Sequence, residues 1–428
     1  MGAFGSLKKF LRQHLPLEGM INAFWHLPQE MFLTIVYGFP GTKIPVIGVA
    51  GTKGKTTTAY FISQLLEASG EKTALYSTAA IKIGDKERFN ELKMTTPGGV
   101  FLRRFLRDAK RQGCTFVVLE VSSHALKQHR LWGIPFVAVV ITNMMPDHLD
   151  YHKTAKDYTM SHMRMFGNKT RVAVVNGDDE SSAVFAKLRR RVLTFGQKGY
   201  NTFRIKNIAS AGSGMSFDME YYGHAAHYDV PYIGDYNAYN TVAALATLYG
   251  LEKLIDGLGD AVRRLVPAPG RMEKISSGRG FDVIVDYAHS PDSFENLFKA
   301  VKPLAKAKII AVTGACGDRD WRVRPQMGRL LAEYCDRVVI TTDDPYTENP
   351  EKIASELIQG LVESKAMIEG QTWFNIPDRK TAIQKGISLA QKDDIVLMLG
   401  KGSEQWQVFA DKKIPWDDRE VVKEILKP

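Results

Sequence analysis

Gly51-Thr52-Lys53-Gly54-Lys55-Thr56-Thr57-Thr58 stands between an apolar run and a helical repeat. Before it, Val46-Ile47-Gly48-Val49-Ala50 reads as a buried strand. After it, the apolar residues of Tyr60-Phe61-Ile62-Ser63-Gln64-Leu65-Leu66-Glu67 recur at helical spacing, with Gly70 as the stop. Strand, glycine-rich turn and helix predict a phosphate-binding loop. Backbone N–H groups and the helix N-terminus converge on phosphates, Lys55 adds a point charge, and the Thr56 hydroxyl can reach Mg²⁺. The spacing departs from the common pattern, because the position five before Gly54 is Val49 and not glycine. The alternative is a lysine-bearing turn with no ligand.

At 428 residues the chain has room for two or three domains. A hydrophobic content of 44% and a charged content of 24% are ordinary for globular protein. The net charge of +10 suits anionic ligands such as nucleotides, and also nucleic acid or anionic lipid. No Lys/Arg block is interleaved with aromatics, so a nucleic-acid partner is not expected. Cys114, Cys316 and Cys335 lack CxxC spacing and are odd in number, which argues against a disulfide framework or zinc site and for a reducing cytoplasm. The N-terminus carries Lys8, Lys9 and Arg12, then a fairly apolar stretch from Leu15 to Phe39 that Glu18, His26 and Glu30 interrupt. That falls short of a spanning helix. Helices packed on the next domain are the favoured expectation, and an amphipathic helix on a membrane surface is the other.

From Ile44 onward strands and helices alternate. Phe116–Val121, Phe136–Ile141 and Val172–Asn176 read as buried parallel strands. Residues 200–233 differ: short alternating segments such as Ser216–Tyr222 suggest an antiparallel flap or edge. Pro267-Ala268-Pro269-Gly270 is a linker signal. A second α/β series follows, with strands at Val283–Asp286, Ile309–Thr313, Val338–Thr341 and Ile395–Leu399. The expected division is a short helical segment over 1–43, a central domain over 44–268 with a parallel sheet, and a Rossmann-like domain over 269–428.

These pieces resemble the Mur ligase family, most closely its MurE branch. The resemblance rests on Gly51 to Thr58, Thr95-Thr96-Pro97, Leu119-Glu120-Val121-Ser122-Ser123-His124, Thr142-Asn143, Asp147 to His152, and Gly234 to Asn240. It continues through Pro269 to Glu273, Asp286 to Asp292, Gly317 to Asp320, and Leu399 to Glu404. The resemblance implies a P-loop ATPase domain followed by a Rossmann-like ligase domain, α/β throughout. It implies ATP-dependent amide formation in peptidoglycan precursor synthesis: a carboxylate attacks the γ-phosphate to give an acyl phosphate, and an amine then attacks the acyl carbon.

The same resemblance assigns roles. Gly51, Thr52, Lys53, Gly54, Lys55, Thr56 and Thr57 would cradle the ATP phosphates. Glu120 and Thr56 would share Mg²⁺, His148 would bind a second Mg²⁺, and Asn143 would lie near the γ-phosphate. Asn237 and Asn240 would lie against the adenine, with Arg271, Asp286 and His289 closing on ATP from the second domain. Thr95, Thr96, Ser122 and His152 would contact the peptide substrate. Arg319, Gly400 and Glu404 would contact the amino acid. Taken alone, Glu120 could equally be an ion-paired carboxylate, and Asn237 and Asn240 could be helix caps. Ser122, Ser123 and His124 resemble a Ser/His nucleophile pair, but no elbow motif surrounds them.

The sequence departs from the family pattern in three ways. The family's carbamylated lysine aligns with His162, which cannot form that carbamate but could ligate Mn²⁺ or Zn²⁺. Its protonation near pH 6.5 should then weaken metal binding. Where family members that add diaminopimelate read Asp-Asn-Pro-Arg, this chain reads Asp343-Asp344-Pro345-Tyr346. Tyr346 cannot pair bidentately with a carboxylate, and Asp344 adds negative charge, so a basic amino acid is expected in place of diaminopimelate. Only about forty residues precede the ATPase segment, fewer than a UDP-sugar domain needs. The acceptor is therefore a UDP-muramyl peptide or another peptide or polyamide. A nucleotide-binding scaffold with little ligase activity is the rival from another class.

Overall fold

The computed structural model describes residues 22–92, 94–145, 149–152, 154–180, 183–188, 191–211, 214–364 and 367–427. The chain divides into two compact units: 1–207 with 217–228 and 238–265, and 208–216 with 229–237 and 266–428.

Eleven strands run through the first part of the chain: β1 (Val46–Ala50), β2 (Thr73–Tyr76), β3 (Ala80–Ile83), β4 (Lys86–Phe89), β5 (Phe116–Glu120), β6 (Phe136–Ile141), β7 (Val172–Asn176), β8 (Arg191–Gly196), β9 (Phe203–Ala211), β10 (Gly214–Tyr221) and β11 (His224–Val230). They form one sheet in the order β11-β10-β9-β8-β7-β6-β1-β5-β2-β3-β4. From β9 across to β2 every neighbouring pair is parallel. The middle of that run is continuous Val, Ile, Leu and Ala with little or no exposure, as a sheet covered on both faces requires. Each Val, Ile or Leu side chain so removed from water contributes roughly 1.5–3 kcal/mol.

The expected flap over 200–233 is an extension of this same sheet edge. β10 returns into β11 through Tyr222 and Gly223, both at positive φ (45° and 82°), the geometry of a tight hairpin turn. Around the sheet run helices α1 (Leu27–Val36), α2 (Lys55–Ala68), α3 (Gly99–Arg111), α4 (Ala155–His162) and α5 (Tyr236–Gly250).

The second unit is built on β12 (Glu273–Ser276), β13 (Asp282–Asp286), β14 (Ile309–Thr313), β15 (Arg337–Ile340), β16 (Trp373–Asn375) and β17 (Ile395–Leu399), ordered β12-β13-β17-β14-β15-β16. Only the edge pair β12–β13 is antiparallel. Helices α6 (Pro291–Val301), α7 (Val323–Tyr334), α8 (Pro350–Ser364), α9 (Arg379–Ser388) and α10 (Asp418–Leu426) accompany it. Apolar clusters form on both faces of the sheet, since alternate residues of each strand point opposite ways. In both units the parallel strands bring their carboxyl ends to one edge, where open α/β sheets hold ligands.

Candidate active site

In the first unit β1, β5, β6 and β2 lie side by side and end together. β1 delivers the phosphate loop, β5 ends on Glu120, β6 leads into Thr142-Asn143, and β2 leads into Ser77-Thr78. The loop turns into α2 at Gly54, whose φ is +80°. A Cβ there would stand 2.5 Å from the Asn240 side-chain oxygen, so the helix can start here only on glycine. Gly51, at φ +137°, passes equally close to the Thr142 hydroxyl.

Lys55 folds back over the loop, and its ammonium donates to the carbonyls of Gly51 and Thr52 at 2.9 Å each. Thr52 is held by its N–H on the Asn143 carbonyl at 2.9 Å, and its hydroxyl donates to the Met145 carbonyl at 2.7 Å. Lys53 is gripped on both backbone sides: its N–H donates to Asn143 Oδ1 (2.9 Å), and its carbonyl accepts from Asn143 Nδ2 (3.0 Å) and the Thr142 hydroxyl (2.6 Å). The Asn143 amide thus shapes the loop, while the resemblance placed it near a phosphate.

Glu120 is buried at 2% exposure. The Thr56 hydroxyl donates to its Oε2 at 3.0 Å, the Thr78 N–H to the same oxygen at 2.6 Å, and the Thr78 hydroxyl to Oε1 at 3.0 Å. These partners are neutral donors, so the ion-pair alternative for Glu120 is not what the structure has. Thr78 carries no motif, and only the fold brings it to Glu120. Thr95 and Thr96 stand beside it: Thr95 Oγ1 lies 3.0 Å from Thr78 Oγ1 and is the donor of that pair, since the Thr78 proton goes to Glu120, and Thr96 Oγ1 donates to the Glu120 carbonyl at 3.0 Å. Ser122 donates its N–H to Thr96 Oγ1 at 2.9 Å, and its own hydroxyl accepts the Ala125 N–H as a helix cap. Ser123 bonds His152 Nε2 at 2.9 Å and both are buried, so no exposed nucleophile is formed there. His124 stacks on Tyr151.

Asn240 lies against the loop, its Oδ1 accepting from the Thr58 hydroxyl at 3.2 Å. Asn237 is buried and donates to the Ile233 carbonyl at 2.8 Å. His148 lies outside the described residues. Among the described residues no group of three His, Cys, Asp or Glu forms a metal cage.

His162 ends α4 with 1% exposure. Its Nδ1 donates to the Tyr158 carbonyl at 2.9 Å, since that carbonyl can only accept, and Tyr158 meets its ring edge-on. Burial pushes its pKa down to about 4, with the Lys55 ammonium adding to the effect. The expected titration near pH 6.5 is therefore corrected: His162 is neutral across the ordinary working range. The folded state binds this proton less readily than the unfolded chain, so stability is full above the unfolded value of about 6.5 and falls as pH drops towards 4. His162→Gln is expected to flatten the decline in denaturant midpoint between those values. An unchanged slope would remove His162 from the account.

In the second unit β13 ends on Asp286, whose Oδ2 accepts the Met272 N–H and Oδ1 the Ala288 N–H, both at 2.8 Å. The Arg271 guanidinium lies 4.3 Å from the Tyr287 ring centre, and His289 donates Nδ1–H to the Tyr287 carbonyl at 2.8 Å. Gly270, at φ +64°, runs against Gly402; a Cβ there would stand 2.1 Å from backbone. Gly400, at φ +105°, passes as closely over Asp343. Arg319 is exposed on the loop after β14.

The centre of this cluster is Lys401, fully buried. Its ammonium donates to Asp344 Oδ1 at 2.7 Å and Glu404 Oε2 at 2.6 Å, with Asp343 Oδ1 at 3.5 Å. Burial disfavours the ammonium, but the three carboxylates outweigh it and hold the proton on. The sequence motif contained Lys401 without pointing to this role. The structure corrects the reading of Asp344. Its charge is spent on Lys401 and its side chain is 1% exposed, so it is not a free anion selecting a cationic substrate.

A phosphate loop over a buried carboxylate, on an α/β unit followed by a Rossmann-like unit, is the architecture of a nucleotide-dependent enzyme. The Mur ligase middle domain matches residues 49–248, and the Mur ligase glutamate ligase domain matches residues 270–402. The UDP-N-acetylmuramoyl-L-alanyl-D-glutamate–2,6-diaminopimelate ligase of Aquifex aeolicus is 39% identical over 91% of this chain and 79% of its own. A solved structure of an enzyme of that same name superposes with a TM-score of 0.64 at 31% identity, over 90% of this chain and 78% of the other. A folylpolyglutamate synthase of Mycobacterium tuberculosis, solved with ADP and AMPPCP, shares the fold at a TM-score of 0.70 and 19% identity, over 88% and 93% of the two chains. The chain belongs to the Mur ligase family, and its relatives at 33–39% identity include the MurE enzymes.

Proposed function

We propose that this ligase adds an amino acid to the peptide carboxylate of a UDP-muramyl dipeptide, with ATP and Mg²⁺. The observation that carries this is the Thr56 hydroxyl of the phosphate loop bonded to the buried Glu120 carboxylate. Those two oxygens, with Thr78 holding the carboxylate in place, suit a hard cation, which prefers oxygen donors. Bound there, Mg²⁺ would neutralise phosphate charge. Lys55 would exchange its two carbonyl partners for phosphate oxygens. The loop N–H groups at the start of α2 would orient the γ-phosphate, and Asn143 and Thr142 would keep the loop in shape. The acceptor carboxylate then displaces ADP to form an acyl phosphate. The amine attacks the acyl carbon, phosphate leaves and the amine loses a proton. The use of ATP and the three free cysteines suit the cytoplasm.

The amino acid we propose is one with a second amino group. Diaminopimelate is the first candidate, from the names of the relatives. Lysine is the second, because Tyr346 offers one phenolic donor where a bidentate arginine is expected. The Tyr346 phenol, pushed up to about 12 by burial and the nearby Asp344 charge, remains a donor at working pH. ADP release measured over acceptors and amino acids, with product masses, tests both levels. ADP is expected only when a muramyl dipeptide and a diamino acid are present together. Release that ignores the acceptor would overturn the proposal, and equal use of alanine would overturn the diamino preference.

A further inference from the structure

Helix α1 is mounted inside out. Its buried residues are Glu30 and Thr34, while Phe32, Ile35 and Val36 stand 66%, 59% and 61% exposed. The preceding turn adds Phe24 and Trp25, still more exposed. A helix on a globular surface ordinarily does the reverse and turns its apolar stripe to the core.

The polar side is locked in place. Arg103 of α3, itself fully buried, pairs with Glu30 at 2.9 Å and donates to the Thr34 hydroxyl at 3.2 and 2.9 Å. The same guanidinium also holds the carbonyls of Arg130 and Trp132 at 2.6 and 2.7 Å. Turning the apolar stripe inward would strand a buried arginine. The helix therefore does pack on its neighbour, as the sequence reading favoured, but through its polar side.

The rim of the exposed stripe is cationic. Arg104 donates to the Tyr37 hydroxyl at 3.1 Å, Arg107, paired with Asp108 at 3.2 Å, lies 5.7 Å from the centre of the same ring, and Lys43 is exposed just beyond the helix. In sequence, Lys8, Lys9 and Arg12 precede it, with no acidic residue before Glu18. We propose that α1 and its preceding turn lie on an anionic membrane surface, aromatic and aliphatic side chains in the acyl boundary and arginines at the headgroups. Among the described residues no helix is long and apolar enough to cross a membrane, so the contact is to one face only. A second copy fits less well, since two-fold pairing would set the same cationic rim against itself.

Sedimentation of the full chain with vesicles tests this, using phosphatidylcholine alone and phosphatidylcholine with phosphatidylglycerol. Binding is expected on the anionic vesicles, roughly tenfold or more weaker on the neutral ones, and weakened by salt. Phe32→Gln with Ile35→Gln should abolish it, and Arg104→Glu with Arg107→Glu should remove the preference for anionic lipid. ADP release in solution should stay at the wild-type rate in both, which also shows them folded. No vesicle binding by the wild type, or unchanged binding by the Phe32/Ile35 variant, overturns the proposal. So does a dimer by light scattering that this variant dissolves in the absence of vesicle binding.

Discussion

Lys55→Ala and Glu120→Ala are each expected to lower turnover at saturating ATP by roughly a hundredfold or more, the usual cost of removing a charge or metal ligand at a transferring phosphoryl group. The reasons differ. Lys55 sits on the loop itself and already points its ammonium into the loop's mouth, bonded to Gly51 and Thr52. Glu120 holds Thr56 and Thr78. Removing its carboxylate frees three donors in a buried place, so Glu120→Gln is the cleaner probe: it keeps the shape and an acceptor oxygen but loses the charge. Glu120→Gln should need more Mg²⁺ for half-maximal rate, whereas Lys55→Ala should not. Turnover within about threefold of wild type in either alanine variant would sink the assignment of this loop as the catalytic phosphate site.

Asp418→Ala should destabilise the second unit by about 3–5 kcal/mol, because it leaves the Arg379 guanidinium charged and buried without its partner. Arg379 donates to both Asp418 oxygens, at 2.8 and 2.6 Å, and to the carbonyl of Leu399 at 2.9 Å; both side chains of the pair are wholly buried. Trp416 completes the site with its indole N–H on Asp418 Oδ1 at 2.7 Å. Burial would raise the Asp418 carboxyl, but Arg379 outweighs it and holds it below the usual carboxylate range. The pair's stabilisation is thus full above about pH 4 and is lost as acid protonates Asp418. Denaturant unfolding, followed by hydrogen exchange of the β17 amides, measures the effect. Arg379→Met together with Asp418→Leu should recover most of the loss, since a matched apolar pair of similar volume is often as stable as the buried ions. If the double variant is as unstable as Asp418→Ala, the unpaired charge is not the cause.

Much of this was legible in the sequence because it is local. The strands at Val46–Ala50, Phe136–Ile141, Val172–Asn176, Ile309–Thr313 and Ile395–Leu399 are continuous apolar runs, and they are strands with those bounds. The phosphate loop is a contiguous stretch whose turns need its own glycines, although Thr142 and Asn143 hold it in shape. What the sequence did not yield depends on partners far along the chain. Asp344 reads as a free charge until Lys401 is folded onto it. Thr78 has no motif and acquires its place only when β2 and β5 pair in parallel. The stretch from Leu15 to Phe39 read as apolar and interrupted by charge, but which side of the Leu27–Val36 helix turns inward was decided by Arg103. The histidine at 162 was readable as an exchange for lysine, but its burial, and with it its charge, was not.

The close passage of Gly270 over Gly402 bears on how such an enzyme can change its taste for substrates. Two backbone turns touch there with no room for a methyl group on either side, and Gly400 is similarly pressed on Asp343. Drift in these turns is closed off, because any first substitution collides before a compensating one can arrive. Tyr346 stands on a different footing: it is half-buried, bridged through its backbone to Phe409, and its own φ of 49° lies in the left-handed region. On the role proposed for Tyr346, diversification of the amino acid accepted would run through that single side chain, while the glycine turns around it stay fixed.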